Sequence, residues 1–153
     1  MTELFDASDF LGRAHRRLRF GAFSREPLLL LRVEWKGDLV ECDWLMRPAD
    51  PWDKHLPEDL AMENRTLQAL RDALNLREIV FKCFPAVVNA NLRMFRADRG
   101  HRLELVMKGC VSRSNEALHR VPSVAMRAKL CGFQFTMADG ALKSLVPVSL
   151  SCS

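Results

Sequence analysis

Nowhere does this chain run apolar for long. The longest strictly apolar stretch in its 153 residues is the four leucines at 28–31, far short of the roughly 18 that a membrane-spanning helix needs. No membrane partner is expected. Glycine and proline are sparse at seven each, and no Gly/Ser linker, low-complexity tract or internal repeat divides the chain. The glycines form neither a GxGxxG nor a Walker-type run, which removes the usual phosphate loops. The histidines His15, His55, His101 and His119 stand apart from one another. With no HxH, HExxH or EF-hand pattern, neither a metal nor a cofactor is expected.

Paired cysteines are missing too. Cys42, Cys83, Cys110, Cys131 and Cys152 are odd in number and widely spaced, unlike a disulfide framework or a zinc knuckle. Free thiols in a reducing compartment are the expectation. The opening residues Met1 to Asp9 carry acids where a secretory signal carries bases, so a cytoplasmic location is expected.

What is present is the composition of an ordinary globular domain. Apolar residues make up 48% and charged residues 27%, and the length suits one hydrophobic core. We expect a single domain over residues 1–145, with 146–153 as a loosely held tail. The net charge of +4 hides a split of +1 over residues 1–26, −5 over 27–63 and +8 over 64–153. Seventeen of the 23 bases are arginine, which suits bidentate contacts to carboxylate or phosphate. Such a split fits either a basic face for a polyanion or pairing between acidic and basic segments.

Periodicity supplies the elements. Ser8 caps a short helix to Leu18, with Phe10, Leu11, Ala14 and Leu18 on one face. Leu29, Leu31, Val33 and Trp35 alternate with Arg32 and Glu34, and Val40, Cys42, Trp44 and Met46 repeat the pattern beyond Lys36-Gly37-Asp38. A loop at Lys36-Gly37 pairs Val33 with Val40, whereas one at Gly37-Asp38 pairs Val33 with Cys42; both keep the apolar faces together. A Pro-rich connection follows, then a helix from about Pro57 or Asn64 to Phe84 with Leu67, Leu70, Leu74, Phe81 and Phe84 as its stripe. Ile79-Val80-Phe81 could alternatively be a strand. In a second hairpin, Val88, Ala90, Leu92 and Met94 oppose Leu103, Leu105, Met107 and Val111 across a turn at Ala97–Gly100, with Arg96 paired to His101. Ser123 caps a last helix that Gly132 ends, and Phe133-Gln134-Phe135 leads as a fifth strand to a turn at Asp139-Gly140.

The order α-ββ-α-ββ-α-β specifies an α+β fold: an antiparallel sheet of about five strands, from two β-hairpins plus a C-terminal strand, with helices packed on one face.

Two groups of residues carry candidate chemistry. Asp50, Trp52, Asp53 and His55 gather two carboxylates, an imidazole and an indole on a loop leaving the sheet, suited to acid–base work or merely to turns and caps. Arg93, Phe95, Arg96, Arg99, Arg102 and Lys108 place an aromatic ring among cations on the second hairpin, as base stacking with phosphate contact requires. The Gly-flanked aromatic pair of RNA-recognition sheets is missing. The function expected is non-catalytic: a small cytoplasmic binding or protein-interaction domain that self-associates or binds another protein. The alternatives are an Arg-lined nucleic-acid or polyanion binder using the second hairpin, and a small enzyme at Asp50–His55.

Overall fold

Two hairpins and the long helix between them set the architecture. The computed structural model describes residues 10–12, 28–48, 55–97, 100, 102–113 and 120–145. Along the chain these form β1 (Leu29–Lys36), β2 (Leu39–Leu45), α1 (Glu58–Cys83), β3 (Asn89–Ala97), β4 (Leu103–Ser112), α2 (Val124–Cys131), β5 (Phe133–Gln134), β6 (Met137–Ala138) and β7 (Ala141–Leu142). Strands β1 to β5 make one sheet in sequence order, and β6 and β7 form a separate small ribbon. Among the described residues no helix is long and apolar enough to cross a membrane.

The sheet is mixed rather than wholly antiparallel. β1–β2, β3–β4 and β4–β5 are antiparallel, but β2 and β3 run parallel at the centre, Leu39 beside Asn89 and Leu45 beside Phe95. The cause is the length of α1. Its 26 residues span about 39 Å at 1.5 Å per residue, more than the ~23 Å of a seven-residue strand. The helix therefore carries the chain back to the end where β2 began, and β3 starts alongside it. The Val88 amide donates to the Asp38 carbonyl there at 3.1 Å.

The first hairpin takes the Gly37-Asp38 loop, pairing Val33 with Cys42 and Lys36 with Leu39. Gly37 has φ 61° while Asp38 stays negative, the pattern of a type II′ turn. One expectation fails: Leu31 does not face Trp44. A bulge at Leu31 gives that place to Leu30, so Leu30, Val33 and Trp35 pack on the core while Leu29 and Leu31 are exposed. In the second hairpin Arg96 pairs with Glu104, not His101, and Leu92 lies opposite Gly109. The irregularity at Val106 splits the expected apolar set: Met107 and Val111 stay on the core side, Leu103 and Leu105 turn to the other, and Gly109 comes to the sheet centre. A Cβ on Gly109 would stand 3.0 Å from both the Phe133 ring and the Gly132 carbonyl oxygen, so only glycine lets β5 approach this closely.

The core lies between one side of the sheet and the helices. Val40, Cys42, Trp44, Ala90, Leu92, Met94, Met107 and Val111 bury against Leu70, Ala73, Leu76, Val80 and Phe84 of α1 and the residue after it, with Ala128 of α2 and Phe133 alongside. Each large side chain so buried contributes about 1.5–3 kcal/mol. Of the expected α1 stripe Leu70, Phe81 and Phe84 are buried and Leu74 is partly so; Leu67 is exposed, and Thr66, Ala69, Ala73, Leu76 and Val80 also face inward. Ile79–Phe81 is helical. At the end of α1 the Arg113 guanidinium donates to the carbonyls of Phe81, Phe84 and Val87, each at 2.8 Å. It thereby satisfies groups that a helix C-terminus leaves open, and it lies 4.9 Å from the Phe81 ring centroid.

Ser123 caps α2 through the Met126 amide, and Gly132 follows its last residue. The Asp139-Gly140 turn joins β6 to β7, and Thr66 of α1 donates to the Gly140 carbonyl at 2.6 Å. Phe10 to Gly12 are helical, and Phe10 is buried against Phe84 with ring centroids 5.7 Å apart. The remainder of the expected helix Ser8–Leu18 and the tail 146–153 lie outside the described residues. The thiol expectation is corrected at one position. Cys42, Cys83 and Cys131 are free and buried, but Cys110 is disulfide-bonded.

Candidate interaction surface

The register that buries one side of the sheet fixes what its other side presents, because successive side chains alternate. Arg32, Asp43, Arg93 and Lys108 fall in one row across β1 to β4, and Glu34, Glu41, Asn91 and Cys110 in the next. Beyond the charged row, towards the other end of the strands, Leu29, Leu45, Phe95 and Leu105 form an apolar band. The described core with α1 and α2 lies on the opposite side, and within the charged row Asp43 and Lys108 are buried.

Asp43 is the hub of the charged row. Arg93 grips it with two bonds, Nε to Oδ1 at 2.8 Å and Nη2 to Oδ2. Arg32 reaches the same carboxylate through Nε at 3.1 Å, Glu41 through Nη2 at 2.7 Å and Glu34 through Nη1 at 2.8 Å. Lys36 adds a contact to Glu34 at 3.3 Å. The hydrogen bond to Glu41 leads in raising the Arg32 pKa, and that to Asp43 leads for Arg93. Lys36 and then Arg32 hold the Glu34 carboxyl below its ordinary value.

The residues expected to bind a polyanion are divided by this geometry. Arg93 and Phe95 share the side away from the core, with the guanidinium 5.3 Å from the ring centroid; Lys108 lies directly across from Arg93 but is buried, which corrects its expected place in a phosphate-binding surface. Arg96 is elsewhere. Neighbouring Met94 faces the core, and Arg96 bonds Glu104 at 2.9 Å and the Leu142 carbonyl at 2.7 Å. Arg102 is exposed, and Arg99 lies outside the described residues. Of the other group, Asp50, Trp52 and Asp53 are outside them as well, and His55 is exposed. No set of three or more His, Cys, Asp or Glu among the described residues is placed to hold a metal.

Two features were not singled out in the sequence. The Arg32–Asp43 contact could have been found from the hairpin alone, since opposite charges on facing strands signal a cross-strand pair. A second cluster lies in the core, where Arg47, just past β2, and Gln68 of α1 both donate to Asp72 of α1. Arg47 and Asp72 are 25 residues apart, and no local pattern marks them as a pair.

In comparisons with known proteins, no family model, no curated protein and no solved structure matches this chain.

Proposed function

We propose that this chain is a non-catalytic protein-interaction domain that associates with itself through the exposed part of its five-stranded sheet. The observation that carries the reading is the sheet side opposite the described core, an apolar band of partly exposed residues next to a lattice of charges already balanced among themselves. A surface on which most cations already hold carboxylates suits protein better than a polyphosphate, which needs free ones. A cytoplasmic setting belongs to this reading and is supported by the three free, buried thiols; the bonded Cys110 speaks against it. Sedimentation velocity over a wide concentration range tests it. The expected result is a mass that rises to that of a dimer, and a monomer throughout would overturn it.

A second reading keeps the second hairpin as a nucleic-acid or polyanion site. The Arg93–Phe95 stack favours it; the carboxylates holding Arg93 and Arg96 and the burial of Lys108 weigh against it. Fluorescence anisotropy with a labelled single-stranded oligonucleotide at low salt decides, with salt-sensitive binding expected. No binding at low salt removes it.

A further inference from the structure

Strand β1 ends the sheet, and among the described residues no strand lies outside it. Its outer backbone groups can therefore pair with another strand. The closing pair of a two-residue hairpin is hydrogen-bonded, here Lys36 with Leu39. Alternation then turns the backbone groups of Lys36, Glu34 and Arg32 towards β2, and those of Val33 and Trp35 outward. On the exposed side of the strand the charges read Arg32, Glu34, Lys36, plus, minus, plus.

That sequence of signs restricts how a strand like β1 can pair with its own copy. In an antiparallel, two-fold pair only like sides may face each other, which leaves registers centred on a single residue. Centring on Arg32 sets arginine against arginine. Centring on Glu34 sets glutamate against glutamate and Arg32 against Lys36. Centring on Trp35 matches signs but overlaps only residues 34–36 of β1. Centring on Val33 matches Arg32 of each copy with Glu34 of the other, twice, and overlaps residues 31–35, up to the bulge at Leu31. It also hydrogen-bonds the two outward-facing Val33 backbones to each other.

Resting on the self-association reading above but placing the contact at the sheet's edge rather than on its side, we propose that the partner is a second copy of this chain, joined edge to edge through β1 in the Val33-centred register. The two five-stranded sheets become one continuous sheet. The charges that block the Arg32- and Glu34-centred registers admit this one, as charged edge strands do when they select rather than forbid a partner.

The test is a charge-swap mixture read by sedimentation. Arg32→Glu places acid against acid in a homodimer, and Glu34→Arg places base against base, so each variant alone should dissociate at least tenfold more readily than the natural chain. Mixed together, every cross-strand pair is again opposite in sign, and a heterodimer of near-natural affinity should form. Variants that dimerise as tightly as the natural chain overturn the β1 proposal while leaving self-association intact, as does a mixture that fails to recover. A natural chain that stays monomeric overturns both. Should either variant not fold, amide exchange on the natural chain decides. The Val33 and Trp35 amides should become protected as concentration rises, and protection independent of concentration overturns the pairing.

Discussion

Arg47 and Asp72 form a two-bonded ion pair inside the core. Arg47 Nε donates to Asp72 Oδ2 at 2.7 Å and Nη2 to Oδ1 at 3.0 Å, with both side chains 2% accessible. Gln68 donates to the same Oδ1 at 2.9 Å. The pair fastens the chain leaving β2 to the helix that must lie across the sheet. Burial pushes the Asp72 carboxyl above the ordinary aspartate range, while Arg47 and Gln68 pull it down.

Replacing Arg47 by methionine removes the stronger downward pull. The Asp72 pKa then climbs further in the folded state, and a folded pKa above the unfolded one gives stability that is present at low pH and lost as pH rises. Arg47→Met should therefore be tolerated near pH 4 and cost about 3–5 kcal/mol at neutral pH, the usual effect of leaving one buried charge alone. Urea midpoints of both proteins from pH 4 to 7 check this. A gap that stays constant across that range would refute it.

How much of this was legible beforehand follows from the range of each interaction. The two hairpins, the Ser123 cap, the Gly132 stop and the Asp139-Gly140 turn are set within a few residues, and local pattern exposes them. The parallel β2–β3 pair was not read, because it depends on how far α1 travels rather than on either strand. Leu31 misled for the opposite reason: its alternation is correct residue by residue, but the bulge rotates it out. The same holds for the surface. Arg93 and Arg96 look alike in sequence, yet one sits on the exposed side held by Asp43 and the other is bonded to Glu104 and the Leu142 carbonyl. Arg47 and Asp72 carry no sign of each other until the helix is docked.

Gly109 and Gly37 should respond differently to alanine. At Gly109 the added methyl meets the Phe133 ring and the Gly132 carbonyl oxygen, both at 3.0 Å, so β5 must retreat at a cost of about 1–3 kcal/mol. At Gly37 nothing lies within 4 Å, and the cost is that of an L-residue at positive φ, about 1–2 kcal/mol. Thermal melts give the totals. Amide exchange separates the causes, since only Gly109→Ala should loosen Phe133 and Gln134; equal loosening there in Gly37→Ala would contradict the packing account.

Asp43→Asn probes the polyanion reading directly. It keeps the side-chain shape but withdraws the charge that engages both Arg32 and Arg93. If the second hairpin binds single strands, the freed guanidinium groups should steepen the salt dependence by roughly 0.7 for each phosphate newly neutralised. Anisotropy titrations at several salt concentrations measure that slope. An unchanged slope, with the protein still folded by circular dichroism, would remove the second hairpin as a binding site.

Cys42 bears on whether the chain does thiol chemistry. It sits in the middle of β2, wholly buried, and burial, with the Asp43 charge acting in the same direction, pushes its thiol up to about 12. At pH 8 only about one molecule in ten thousand then carries the thiolate that reacts. Iodoacetamide should leave Cys42 unmodified in the folded protein over hours and label it promptly in urea, as read by peptide mass spectrometry. Labelling should track unfolding, so that Leu92→Ala, which removes its neighbour on β3 and costs about 2–5 kcal/mol, speeds it. Rapid native labelling would instead mean that the β1–β2 hairpin opens far more readily than its packing implies.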